Sequence, residues 1–128
     1  MAKSTTPEGI EILQKCLHLL DDKHVIDLRA YDVRGQSPIT DYFLVGGVRN
    51  ERQMKAAGQN LVRQLKLQGV KPYHTDGPLN SSTWVVLDYI DCIIHLFSVE
   101  AREFYNIEQI WKDCEIKIDS LRPDDEQE

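Results

Sequence analysis

What this sequence lacks narrows its function before any motif is considered. No apolar run approaches the roughly 18 residues needed to span a bilayer, so a membrane protein is not expected. The first nine residues carry neither a charged-then-apolar signal pattern nor an Arg-rich, acid-poor transit pattern, which points to the cytoplasm. Cysteine is scarce: Cys16, Cys92 and Cys114 form no CxxC pair and leave an odd count, so reduced thiols are expected rather than a disulfide framework. The four histidines are scattered singly and make no zinc pattern with those cysteines; neither metal nor cofactor is expected. Positive charge is also short. The formal net charge is −6, and Lys and Arg occur only singly or in isolated pairs such as Arg49 and Arg52. A protein that neutralises phosphates needs a basic surface, so direct nucleic-acid binding is disfavoured as the main contact. A basic protein partner remains compatible, because complementary charge speeds encounter.

The 128 residues, 41% hydrophobic and 28% charged, suit one domain around one core. Thr6-Pro7 reads as a helix start, and Ile10, Leu13, Leu17 and Leu20 then recur at helical spacing. Val25 to Val33 reads as a strand, and residues 34–38 as a turn-rich connection. Asp41 to Val45 is a short buried strand closed by Gly46-Gly47. Asn50 and Gln53 have capping-box spacing; Met54, Ala57, Leu61 and Leu65 form an apolar stripe that Gly69 ends. Val70 to Thr75 is a weaker strand candidate, and 76–82 is loop by composition. Trp84 to Asp88 and Cys92 to Phe97 are the strongest strands; Ser98 caps a short helix with Arg102 and Tyr105, and Asn106 with Gln109 a further turn. The domain is expected over 1–118, with 119–128 an acidic, disordered tail. These elements imply an α/β domain with a mixed sheet of about five strands.

The strand pair 84–97 carries most information. A two-residue Tyr89-Ile90 turn would set Asp88 opposite Asp91, Leu87 opposite Cys92, Val86 opposite Ile93 and Trp84 opposite His95. Val85, Leu87, Cys92, Ile94 and Leu96 would then form a wholly apolar core face. The other face mixes Trp84, Val86, Asp88, Asp91, Ile93 and His95. Facing carboxylates repel, so that pair wants solvent or a cationic partner. Pattern alone leaves two readings of the mixed face: a protein contact centred on Trp84, or a second core under a helix. Arg102 and Tyr105, three apart, share a helix face and either extend such a contact or stand in solvent.

The stretch Trp84-Val-Val-Leu-Asp-Tyr-Ile-Asp-Cys-Ile-Ile-His-Leu-Phe97 resembles the signature of the bacterial ribosomal silencing factors, the RsfS (Iojap/YbeB) family. So do Glu100-Ala-Arg-Glu-Phe-Tyr105, Ile107-Glu-Gln-Ile-Trp111, Ser37-Pro-Ile-Thr-Asp-Tyr-Phe43 and Arg52-Gln53. The resemblance implies a small α/β domain of nucleotidyltransferase-like fold, often a homodimer when free. It further implies a non-enzymatic role: binding the large ribosomal subunit through its protein fourteen, at the face where the small subunit docks, and lowering translation when nutrients are scarce. The family's surface signature falls here on Trp84, Asp88, Tyr89, His95, Arg102 and Tyr105, and Asp91 matches a recurrent family aspartate. Two departures stand out. The family usually has glycine at the position of Ile90, where positive φ resists a β-branched side chain. Asp76-Gly77-Pro78 replaces a more usual Glu-Gly followed by a polar residue.

Rival chemistries are weaker. A metal-dependent nucleotidyltransferase would use Asp88 and Asp91 for magnesium with Gly46-Gly47 near the phosphates, but lacks the closely spaced Asp-x-Asp on one strand. A hydrolase pairing Cys92 or Ser98 with His95 would need Cys92 and His95 to meet from opposite faces. A dimeric scaffold of other purpose would differ only in its partner.

Overall fold

The computed structural model describes residues 9–76, 84–105 and 109–121, with backbone alone at 74, 76 and 103–105. The helix start expected at Thr6-Pro7, the loop at 77–83, most of the Asn106–Gln109 turn and residues 122–128 lie outside the described residues.

Helix α1 (Gly9–Asp22) buries Ile12, Leu13, Cys16, Leu17 and Leu20, a stripe at three- and four-residue spacing. It ends in a double closure: His24 N–H donates to the Asp21 carbonyl and Val25 N–H to that of Leu20, with His24 left-handed at φ 64°. Helix α2 (Glu51–Leu67) ends the same way on Gly69, φ 86°, with Gly69 N–H donating to Lys66 and Val70 N–H to Leu65. Its start is capped as its spacing suggests, Asn50 Oδ1 accepting from Gln53 N–H at 2.8 Å. The reciprocal bond differs: Gln53 Oε1 accepts from Arg49 N–H at 2.7 Å, and its amide donates to the carbonyls of Lys23 and His24 at 3.2 and 2.8 Å.

Six strands form one mixed sheet in the order β3-β4-β5-β2-β1-β6. They are β1 (Ile26–Asp32), β2 (Tyr42–Val48), β3 (His74–Asp76), β4 (Trp84–Asp88), β5 (Cys92–Ser98) and β6 (Glu115–Ile116). The α/β class stands; the strand beyond the expected number is β6, two residues long and antiparallel to β1. The single parallel pair, β2 with β5, lies at the centre, and its near-continuous burial suits a position covered on both faces. Because β3 is antiparallel to β4 and β4 to β5, the helical crossover through α2 joins parallel strands.

Gly46 and Gly47 do not close β2 but lie within it. A Cβ at Gly46 would sit 2.5 Å from Val25 Cγ1 and 3.0 Å from Leu28 Cδ2, so packing requires glycine there. Opposite Gly46, β1 carries an extra residue between Ile26 and Arg29. Asp27 stands at φ 51° in this bulge, a conformation that Asp tolerates better than most residues.

The expected hairpin register is corrected. Asp88 pairs with Ile93, Leu87 with Ile94, Val86 with His95, Val85 with Leu96 and Trp84 with Phe97. The turn centres on Ile90-Asp91, not Tyr89-Ile90, because Ile90 takes φ 71° despite its branched side chain. Asp91 N–H donates to the Tyr89 carbonyl at 2.7 Å, closing a three-residue turn around Ile90. Pairing slips by two, an even number, so each side chain keeps its expected face. The facing of Asp88 and Asp91 is lost.

Two apolar clusters result. The larger joins α1 and α2 to the sheet through residues such as Leu13, Leu61, Leu44, Leu87, Ile94 and Leu96. Leu121, from a 3-10 turn at Ile118–Leu121, also belongs to it and is 5% exposed, so the packed domain runs past the boundary expected at 118. The smaller cluster, Tyr31, Val33, Phe43, Val45, Ile93 and Phe97, lies on the other face.

Candidate functional site: an aromatic docking face

The second face is built by the alternation of three adjacent strands. Trp84 and Val86 of β4, His95 and Phe97 of β5, and Phe43 and Val45 of β2 point the same way, as the register requires. Their rings form a continuous shelf. Trp84 stacks on Phe97 with centroids 5.3 Å apart and planes at 19°, and His95 lies 6.0 Å from Phe97 with its plane nearly parallel, at 6°. Phe43 adjoins His95 at 5.4 Å and Trp111 at 5.6 Å. Helix α3 (Val99–Tyr105) leaves β5 at once, its first turn capped by Ser98 Oγ accepting from Ala101 N–H at 3.1 Å. Ala101, Trp111 and Cys114 pack on this cluster, yet Trp84 remains 37% exposed at its rim. The second-core reading therefore holds for most of this face, and an open aromatic edge remains at Trp84.

His95 is 8% exposed, and burial pushes its imidazole down to about 4. The ring is neutral at neutral pH, and its Nδ1 accepts a hydrogen bond from Trp84 Nε1–H at 3.3 Å. That bond and the Phe97 stack hold the indole in place while it stays partly exposed.

The remaining expected site residues separate. Arg102 is not a surface charge: it is 7% exposed, with Nη1 donating to the Ile26 carbonyl at 3.4 Å and Nη2 3.5 Å from Asp27. The β1 bulge supplies that carboxylate, so Arg102 ties α3 to the strand two places away. Asp88 and Asp91 lie at the other end of the hairpin, four residues along β4 from Trp84, about 13 Å by strand rise. Asp88 Oδ1 accepts from Ile90 N–H at 2.7 Å and braces the turn. Tyr89 points into the main core at 5% exposure; burial pushes its hydroxyl well up. Tyr105 ends α3, its side chain outside the described atoms.

Sequence reasoning brought Trp84 and His95 together but missed Phe97, Phe43 and Trp111. Parity with His95 could have found Phe97, whereas Phe43 needs the β2–β5 pairing, which no local signal gives. For the rival chemistries, no group of three His, Cys, Asp or Glu among the described residues could hold a metal ion. Cys92 is buried on the core face, away from His95, and burial pushes its thiol up. Among the described residues no helix is long and apolar enough to cross a membrane.

The family of ribosomal silencing factors during starvation matches residues 6–128. The chain belongs to that family. A ribosomal silencing factor from Zymomonas mobilis is 37% identical over 110 residues, 85% of this chain and 82% of its own length. One from Halalkalibacterium halodurans is 31% identical over 104 residues, 81% of this chain and 88% of the relative. A mouse protein named mitochondrial assembly of ribosomal large subunit protein 1 is 28% identical over 95 residues; the match covers 73% of this chain and 42% of the mouse protein. Among solved structures, one from Chromobacterium violaceum superposes with a TM-score of 0.77 at 25% identity, covering 83% of this chain and 88% of that one. Another, from Bacillus halodurans, gives 0.73 at 28% identity, covering 84% and 97%. The chain thus shares fold and family with bacterial proteins named ribosomal silencing factors.

Proposed function

We propose that this protein binds the large ribosomal subunit through protein fourteen, at the face where the small subunit docks, and blocks subunit joining. The mechanism is steric and has no chemical step; translation falls when nutrients are scarce, and the protein acts in the cytoplasm. The observation that carries this reading is the half-open aromatic shelf. Trp84 presents a large rigid surface already ordered by His95 and Phe97, so docking loses little side-chain freedom. The acidic balance of the chain suits a basic ribosomal protein. Ribosome assembly in the name of the mouse relative supports the same target.

In this reading Trp84 makes the central contact, and Asp88 and Asp91 offer negative charge at the hairpin turn. His95 and Arg102 act as positioning residues beneath the surface, Tyr89 supports the turn from the core, and Tyr105 extends the contact from α3. When free, the protein forms a homodimer that occupies the Trp84 surface, so the monomer is the active form. The test is sedimentation of large subunits, small subunits and this protein together. Co-migration with the large subunit and a dose-dependent loss of whole ribosomes are expected. Normal joining, with the protein left at the top of the gradient, would overturn the reading. Affinity that does not fall at high protein concentration would overturn the dimer competition alone.

A further inference from the structure

The far end of the hairpin presents a second surface. Ile39 is 66% exposed and Ile90 56% exposed, and the two are joined through Thr40, whose Oγ1 donates to the Ile90 carbonyl at 2.8 Å. Thr40 itself is buried, and the bond it makes to the exposed Ile90 is partly buried. The pair is not a loose loop tip. Ser37 Oγ accepts from Ile39 N–H at 3.1 Å, Asp88 Oδ1 accepts from Ile90 N–H at 2.7 Å, and Tyr42 N–H donates to the Asp91 carbonyl at 3.1 Å. Two exposed isoleucines thus stand on two segments that the Thr40 bond ties together, a braced frame that suits docking with little ordering on contact.

Ile90 is out of place on internal grounds. At φ 71° a β-branched residue is strained and glycine is not. Its side chain is more than half exposed, so burial within this chain repays little of that strain. Asp41 follows Thr40 and is exposed; Asp88, bonded to Ile90 N–H, and Asp91, next to Ile90 with its Cβ 3.0 Å from where a Gly9 Cβ would stand, are half-buried. The nearby cation Arg34 bonds through two nitrogens to Asp32 at 2.9 and 2.7 Å while lying over the Tyr42 ring, and Asp41 is only a weaker electrostatic neighbour, so Asp32 already balances its charge. The rim is therefore negative around an apolar centre.

We propose that Ile39 and Ile90 form an apolar knob, rimmed by Asp41, Asp88 and Asp91, that docks on a basic protein surface and sets partner specificity beyond the Trp84 contact. An apolar centre with a charged rim is the anatomy of a protein contact, and the sign of the rim selects a partner that carries Lys or Arg around an apolar pocket. The proposal rests on the ribosomal reading, whose basic partner it extends.

The test uses the full chain and purified large ribosomal subunits. Ile90→Gly relieves the turn, so its thermal midpoint should rise by about 4 °C, while affinity for large subunits should fall about tenfold. Loss of binding in a more stable protein cannot come from misfolding. Ile39→Ser should lose a similar amount, and Asp41→Asn with Asp91→Asn should weaken binding at low salt and flatten its salt dependence. Wild-type affinity in both isoleucine variants, with Trp84→Ala still defective, would overturn the knob and leave the Trp84 reading standing. An unchanged salt profile in the double Asn variant would overturn the basic partner. A wild-type chain that does not bind large subunits would overturn the ribosomal reading and the knob with it.

Discussion

The two faces of the sheet are covered very differently. One lies under α1 and α2 and packs Leu13, Leu61, Leu87, Ile94 and Leu96 with no exposure at all. The other has the seven-residue α3 and the segment around Trp111, and leaves an indole partly in solvent. The contrast shows a division of labour. Aliphatic side chains under long helices are sealed from water, whereas flat rings under thin cover leave an open edge at Trp84, the edge on which the proposed docking depends.

Substitutions should separate these roles. Leu61→Ala, at a fully buried site under α2, should lower unfolding stability by about 3 kcal/mol in denaturant titration. An effect as small as a surface substitution would place the stabilising core elsewhere. On the aromatic face, His95 links stability to pH. Its folded pKa, about 4, lies below the ordinary 6.5, so the unfolded chain binds more protons between those values. Stability is whole above pH 6.5, falls as pH drops toward 4 and levels off below, a loss of about 3 kcal/mol. His95→Gln should flatten that slope, read by thermal melts across the range; an unchanged slope would assign it to carboxylates. Protonated His95 also cannot accept from Trp84 through Nδ1, so indole fluorescence of the folded protein should shift with a midpoint at about pH 4. Trp84→Ala should weaken large-subunit binding by about 2 kcal/mol with a smaller loss of stability. A folded variant with unchanged binding would remove Trp84 from the interface. The smallest effect should be a gain: Ile90→Gly should stabilise the fold by about 1 kcal/mol in equilibrium unfolding, and no gain would show the strain to be relieved within the chain.

Much of the fold was legible because its signals are local. The stripes of α1 and α2, the Asn50 cap and the Gly69 stop each depend on residues within one or two turns. Face assignment in β4 and β5 survived a wrong register because a two-residue slip preserves parity. What stayed hidden depends on distant partners. The position of the turn required Ile90 to accept positive φ, which Thr40, fifty residues earlier, helps to hold. Gly46 looked like a strand end because only the fold brings Val25 against it. Arg102 looked like a surface charge because its partner, Asp27, reaches it only through a bulge in another strand. The candidate site was half legible for the same reason: Trp84 and His95 share a hairpin, whereas Phe43 comes from across the sheet.

Gln53 has a consequence for how the molecule opens. One side chain bonds the Arg49 amide before α2 and the Lys23 and His24 carbonyls after α1. Fraying at the end of α1 must therefore release the start of α2, and amide protons on both sides of that clip should exchange with deuterium as one cooperative unit rather than as two independent helix ends.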